Sequence, residues 1–154
     1  MKVGLMGFSH TRLDDVDILL VSPNGKGVEI LSDAAFGATA NNVNITFDDS
    51  ASGTVVGSTV TTGTYRPTDS AESSVDTFPA PAPLRPYHAV TGTNALSNFN
   101  GFSPNGDWRL FVVDDLSTNS GSISGGWFLD ITTTPGVPPT QPACGVAAFS
   151  PTNF

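Results

Sequence analysis

The tetrapeptide Ser-Pro-Asn-Gly stands twice in the chain, at Ser22 to Gly25 and at Ser103 to Gly106, each time beside an apolar run. DDVDILLV leads into the first copy and DWRLFVVDD leads out of the second. Proline presets φ at the second turn position, asparagine tolerates the third, and glycine adopts the left-handed conformation that rejoins a twisted partner strand. Each copy therefore reads as a β-turn that ends or begins a strand. Composition supports this, since sixteen Gly, twelve Pro and many Thr, Ser, Asn and Asp residues supply turns while Glu, Lys and Gln are scarce. The chain reads as all-β.

Alternation places the strands. Lys2 to Phe8 is a short strand with Val3, Leu5 and Gly7 on one face, and in the next run Val16, Ile18 and Leu20 oppose Asp17, Leu19 and Val21. The second run has apolar residues on both faces, as a central strand does. Gly27 to Ser32 forms the return arm across the first turn, and Val43, Ile45 and Phe47 point inward from a further strand. Between Asp48 and Asn98, glycines and the run Phe78-Pro-Ala-Pro-Ala-Pro-Leu-Arg-Pro86 interrupt any ladder, so long loops are expected around one or two short strands. Regularity returns with Trp108, Leu110 and Val112 against Arg109, Phe111 and Val113, then with Trp127, Leu129 and Ile131 against Phe128, Asp130 and Thr132. Both tryptophans share the phase of their apolar neighbours, which predicts core packing. The expected architecture is a β-sandwich of two antiparallel sheets, of jelly-roll or Greek-key kind, over residues 1–134. Residues 135–154 form a proline-rich linker and an apolar tail.

Charge and cysteine content narrow the function classes. A net charge of −8 and a pI near 4.2 disfavour nucleic acid and acidic lipid surfaces, because phosphate binding needs clustered Lys and Arg. The single cysteine, Cys144, has no internal disulfide partner, leaving packing or a metal to hold the fold. No stretch has the length of a membrane span, and the start, MKVGLMGFSHTR, lacks a signal-type apolar region.

Two blocks carry a family likeness. GFSHTRLDDVDILLVSPNG (7–25) resembles the opening motif of the P domain of kexin-like proprotein convertases, and FNGFSPNGDWRLFVVDDLSTNSGSISGGWFLDIT (99–132) resembles its closing segment. The resemblance implies a jelly-roll β-sandwich that is not itself catalytic and that accompanies a subtilisin-like protease domain, in an extracellular or cell-surface setting. The loop TFPAPAPLRP (77–86) is similar to forms found in bacterial secreted and surface proteins. That family usually carries one or two further strands ahead of the segment equivalent to Lys2 to Phe8. Protein partners follow from the resemblance.

The residues themselves offer little catalytic chemistry. Of two histidines, His10 lies in the His-Thr pair of the opening block and His88 follows the proline-rich loop; no serine sits in a Gly-x-Ser-x-Gly elbow. Acids are richer, and twelve of the fourteen are Asp, which suits turns and calcium loops. Candidate calcium ligands are Asp14, Asp15 and Asp17; Asp48 and Asp49; and Asp114, Asp115 and Asn119, against the alternative that these side chains cap turns. The resemblance carries Asp15, Asp114 and Asn119 onto acidic positions of the family, with Asn119 lacking the charge. Tyr65 and Tyr87 are candidate carbohydrate contacts, and the Asn44-Ile-Thr sequon falls inside a strand. Finally, Gly145, Val146, Ala147, Ala148 and Phe149 are candidate interaction residues: tethered by the linker, they could add a strand to a neighbouring copy and build a filament.

Overall fold

The computed structural model describes residues 1–70, 76–85, 87 and 96–134. Its strands are β1 (Lys2–His10), β2 (Val16–Val21), β3 (Gly27–Ser32), β4 (Thr39–Phe47), β5 (Thr59–Val60), β6 (Gly63–Tyr65), β7 (Thr68–Asp69), β8 (Arg109–Asp114), β9 (Gly121–Ile123) and β10 (Trp127–Asp130). One sheet runs β10-β1-β4-β5, with β9 also on β1 and β6 also on β4, and the other runs β7-β3-β2-β8. The two pack as a sandwich around a core from Val3, Leu5, Phe8, Ile18, Leu20, Ile30, Ile45 and Phe47, all nearly inaccessible to water.

Both sheets are mixed, which corrects the expectation of purely antiparallel ones. After β4 the chain returns through residues 48–58 to the level where β4 began, so β5 and β6 lie parallel to it; β7 likewise joins β3 in parallel. Among the described residues, the segment from Asp48 to Asn98 thus holds three short strands rather than one or two, and a 3-10 turn follows at Leu96–Phe99. The hairpin β2–β3 crosses the first Ser-Pro-Asn-Gly turn as expected, pairing Val21 with Gly27.

β2 is central and buried at all six positions. Its inward residues Ile18 and Leu20 join the main core. Its other face, Leu19 and Val21, forms a second cluster with Phe78 and Tyr87, so residues 76–85 and 87 lie as a strap over the outside of the β7-β3-β2-β8 sheet.

Gly7 does not share the inward face with Val3 and Leu5, contrary to the alternation. A bulge between Leu5 and Phe8 shifts the register, with Gly7 at φ +64° and its N–H donating to Asn44 Oδ1 at 2.8 Å. The bulge sends Phe8 into the core instead. Trp108 packs as expected, edge-on to Phe99 at 5.0 Å between centroids, with Nε1–H donating to the Pro104 carbonyl at 3.0 Å. Trp127 does not: it is 38% exposed, on β10 at the edge of its sheet among the described residues.

The two Ser-Pro-Asn-Gly turns meet. In the first, Gly25 N–H closes onto the Ser22 carbonyl at 2.9 Å; in the second, Gly106 sits at φ +121° with its α-carbon against Pro23. A methyl at position 106 would lie 2.8 Å from the Pro23 β-carbon. Gly106→Ala therefore adds both a disfavoured φ and a clash, and is expected to destabilise the fold by about 1–3 kcal/mol in urea unfolding. Gly53→Ala, which meets open space, serves as the control.

Candidate functional site

The opening and closing motifs come together at one end of the sandwich. β1 finishes at His10, a 3-10 turn at Leu13–Asp15 redirects the chain, and β2 starts at Val16 beside Asp114, the last residue of β8. The ring of His10, 3% exposed, sets Nε2 3.2 Å from Asp114 Oδ2 and Nδ1 against the Arg12 carbonyl. Since β1 and β8 belong to opposite sheets, this pair bolts one sheet to the other. Beside it, buried Asp15 accepts from Asn119 Nδ2 at 2.6 Å, and its backbone carbonyl accepts from Asp115 N–H at 3.0 Å.

Arg12 organises the acids of the turn. Its guanidinium donates to Asp14 at 3.0 to 3.2 Å, lies 3.3 Å from Asp15 Oδ1 and covers the ring of Phe36. Burial alone would raise the Asp14 pKa, but the bonds from Arg12 and from Gly37 N–H outweigh it and hold the carboxyl below its ordinary value. Asp114 also accepts from Leu116 N–H at 3.3 Å. Burial, then the neighbouring Asp15 charge, raises Asp115.

The other candidate ligands lie apart. Asp48, near the start of β1, accepts from Ser50 Oγ and N–H and pairs with Lys2 Nζ at 3.1 Å, which takes its pKa down to about 2. Asp49 caps the 3-10 turn by accepting from Leu96 and Ser97 N–H, both at 2.8 Å. Among the described residues, no group of three or more His, Cys, Asp or Glu side chains is placed to hold a metal ion. The oxygens of Asp14, Asp15, Asp48, Asp49, Asp114 and Asn119 are engaged by protein donors, and at Asp14 and Asp15 a guanidinium fills the position a cation would take. Each of these six side chains thus caps a turn or pairs with a protein donor.

A second charged group lies beneath the strap. Asp17 and Glu29 project from the outer face of β2 and β3, almost fully buried, where Ser32 Oγ donates to Asp76 at 2.6 Å and Arg85 Nη2 stands 3.5 Å from Glu29 Oε1. That ion pair is too long for a hydrogen bond and leaves Glu29 Oε1 without one. Burial, then repulsion from Asp76, Asp115 and Asp33, pushes Asp17 up to about 7; burial, then Asp76, does the same for Glu29 against the opposing pull of Arg85. Asp17 was legible as an acid in a strand. Glu29 was not singled out, although its signal is plain: a lone Glu inside the apolar strand GVEILS.

The tyrosines are inward. Tyr87 is 8% exposed, edge-on to Phe78, with its hydroxyl donating to the Pro83 carbonyl at 3.0 Å; Tyr65 ends β6, packs on the core and donates to the Thr61 carbonyl at 2.8 Å. Tyr87 is buried and Tyr65 half-buried. Asn44 lies within β4 and its amide oxygen is taken by the Gly7 bulge. His88, Cys144 and Gly145 to Phe149 lie outside the described residues.

The strap acids predict a pH dependence. A carboxyl whose folded pKa is raised above its unfolded value holds its proton more tightly when folded, so its destabilisation is absent below about pH 4 and complete above about pH 7. The thermal midpoint is expected to fall by a few °C between pH 5 and pH 8. Asp17→Asn should flatten that slope by raising the midpoint at pH 8 while leaving it nearly unchanged at pH 5, as differential scanning calorimetry can read.

Comparison with known proteins adds one finding: residues 5–131 match the family model described as the proprotein convertase P-domain. No curated protein and no solved structure gives a significant match. The matched span runs from within β1 to just past β10, taking in both sheets and both motif blocks. The chain belongs to the proprotein convertase P-domain family.

Proposed function

We propose that the chain is a non-catalytic extracellular module that packs against a subtilisin-like protease domain and stabilises or positions it. The family match across the sandwich carries this reading. The ring of His10 supports it: a general base needs one nitrogen facing an orienting acid and the other facing a nucleophile, whereas here the second nitrogen faces the Arg12 carbonyl. Exposed apolar side chains on loops, Leu84 at 93% and Phe36 at 84%, offer anchors for a protein partner.

The test joins the chain to a secreted subtilisin-like catalytic domain. The joined catalytic domain should unfold at a higher temperature than the catalytic domain alone, by several °C, and Leu84→Asp with Phe36→Asp should remove part of that gain. The isolated chain should hydrolyse no casein. Equal midpoints with and without the chain, together with no co-elution of the separate domains, would defeat the reading.

A further inference from the structure

The sandwich is open along one side. β8 is paired with β2 through all six of its residues, and β9 and β10 are paired with β1, but among the described residues no strand lies on the other edge of any of them. These free edges belong to opposite sheets and flank one mouth. Two side chains on the inward phase of their strands betray it: Val112 is 47% exposed and Trp127 38%. A cavity of about 440 Å³ opens there, with Phe8, Val16 and His10 at its base and Val112, Ser122 and Ile123 at its rims. Unpaired strand edges beside inward apolar side chains form a seat for one extended strand.

We propose that residues 144–149 of the same chain occupy this mouth as a strand. Position argues for it first. The chain leaves β10 at Asp130, and Ile131 to Thr134 line a second cavity of about 500 Å³ with Met1, Ser22 and Trp108, at the end of the mouth where β8 begins. The tail therefore starts where an added strand would enter. Reach argues second: residues 135–143, if extended, span about 28 Å, more than the roughly 20 Å length of a six-residue strand. A loop of residues 131–143 is long enough to turn the chain back along β10.

Charge argues third. Asp107, Asp114, Asp115 and Asp130 are exposed along the rims, whereas residues 131–154 contain no Asp, Glu, Lys or Arg. The tail meets no like-charge repulsion, unlike a second copy bearing a net charge of −8. Pattern argues fourth, because Val146 and Ala148 alternate with Ala147 and Phe149, and either pair can face the interior. A short tether also gives the tail an effective concentration on the order of millimolar, which favours its own mouth over a neighbour's.

Hydrogen–deuterium exchange on the full chain tests the inference. Amides on the free edges of Arg109–Asp114 and Trp127–Asp130 are expected to exchange at least about tenfold more slowly in the full chain than in a chain ending at Thr134, with β2 unchanged in both. Emission from Trp127, isolated by Trp108→Phe, should shift to the red on truncation, and a peptide of residues 143–150 should restore it. Should the truncated chain misfold, Val146→Asp with Phe149→Asp in the full chain supplies the same comparison. The idea is overturned by equal exchange with and without the tail. It is equally overturned if protection grows with protein concentration alongside a dimer mass in sedimentation, which would seat the tail in a neighbouring copy.

Discussion

The fold rests on a buried imidazole that joins two sheets. His10 closes β1 and Asp114 closes β8, and their contact ties the sheets together at the side where, among the described residues, no edge strand does so. Asp15 and Asn119 repeat the connection 104 residues apart in sequence. Removing one partner of such a buried pair leaves the other desolvated, a loss of about 3–5 kcal/mol where both are fully enclosed and less here because Asp114 is one-third exposed. That is a large part of the 5–15 kcal/mol by which a domain of this kind is stable.

The central strand creates a second requirement. β2 is apolar on both faces, so a single sandwich core cannot cover it, and Phe78 and Tyr87 of the strap bury what remains. Asp17 and Glu29 fall under the same cover. Among the described residues, one cation of the strap, Arg85, stands against Glu29, and at a long distance. Burial of apolar surface therefore holds the strap down while the acids beneath it oppose that closure as they ionise.

Strand positions were legible because alternation records which side chains meet the core. Val43, Ile45 and Phe47 needed no tertiary information, nor did the two-sided β2. Gly7 misled, since a bulge changes phase within a strand and its partner Asn44 lies 37 residues away. Trp127 misled for a different reason: phase tells which way a side chain points, not whether anything stands opposite. The direction of β5, β6 and β7 depends on the path of the loops before them, which composition does not encode. The acids read as turn caps or calcium ligands for their type and spacing, but some of their donors are distant in sequence, Gly37 for Asp14 and Leu96 for Asp49, and spacing does not reveal those. The family likeness, carried by the two motif blocks, survived intact.

The touching turns limit how this scaffold can be altered. With the α-carbon of Gly106 against Pro23, lengthening either corner would push on the other, although the two are separated by most of the polypeptide. Grafted loops belong elsewhere. The return between β4 and β5 at Val56 and Gly57, where Val56 is exposed and a side chain at Gly57 would meet no neighbouring atom, is the place where foreign peptide can be displayed without disturbing the frame.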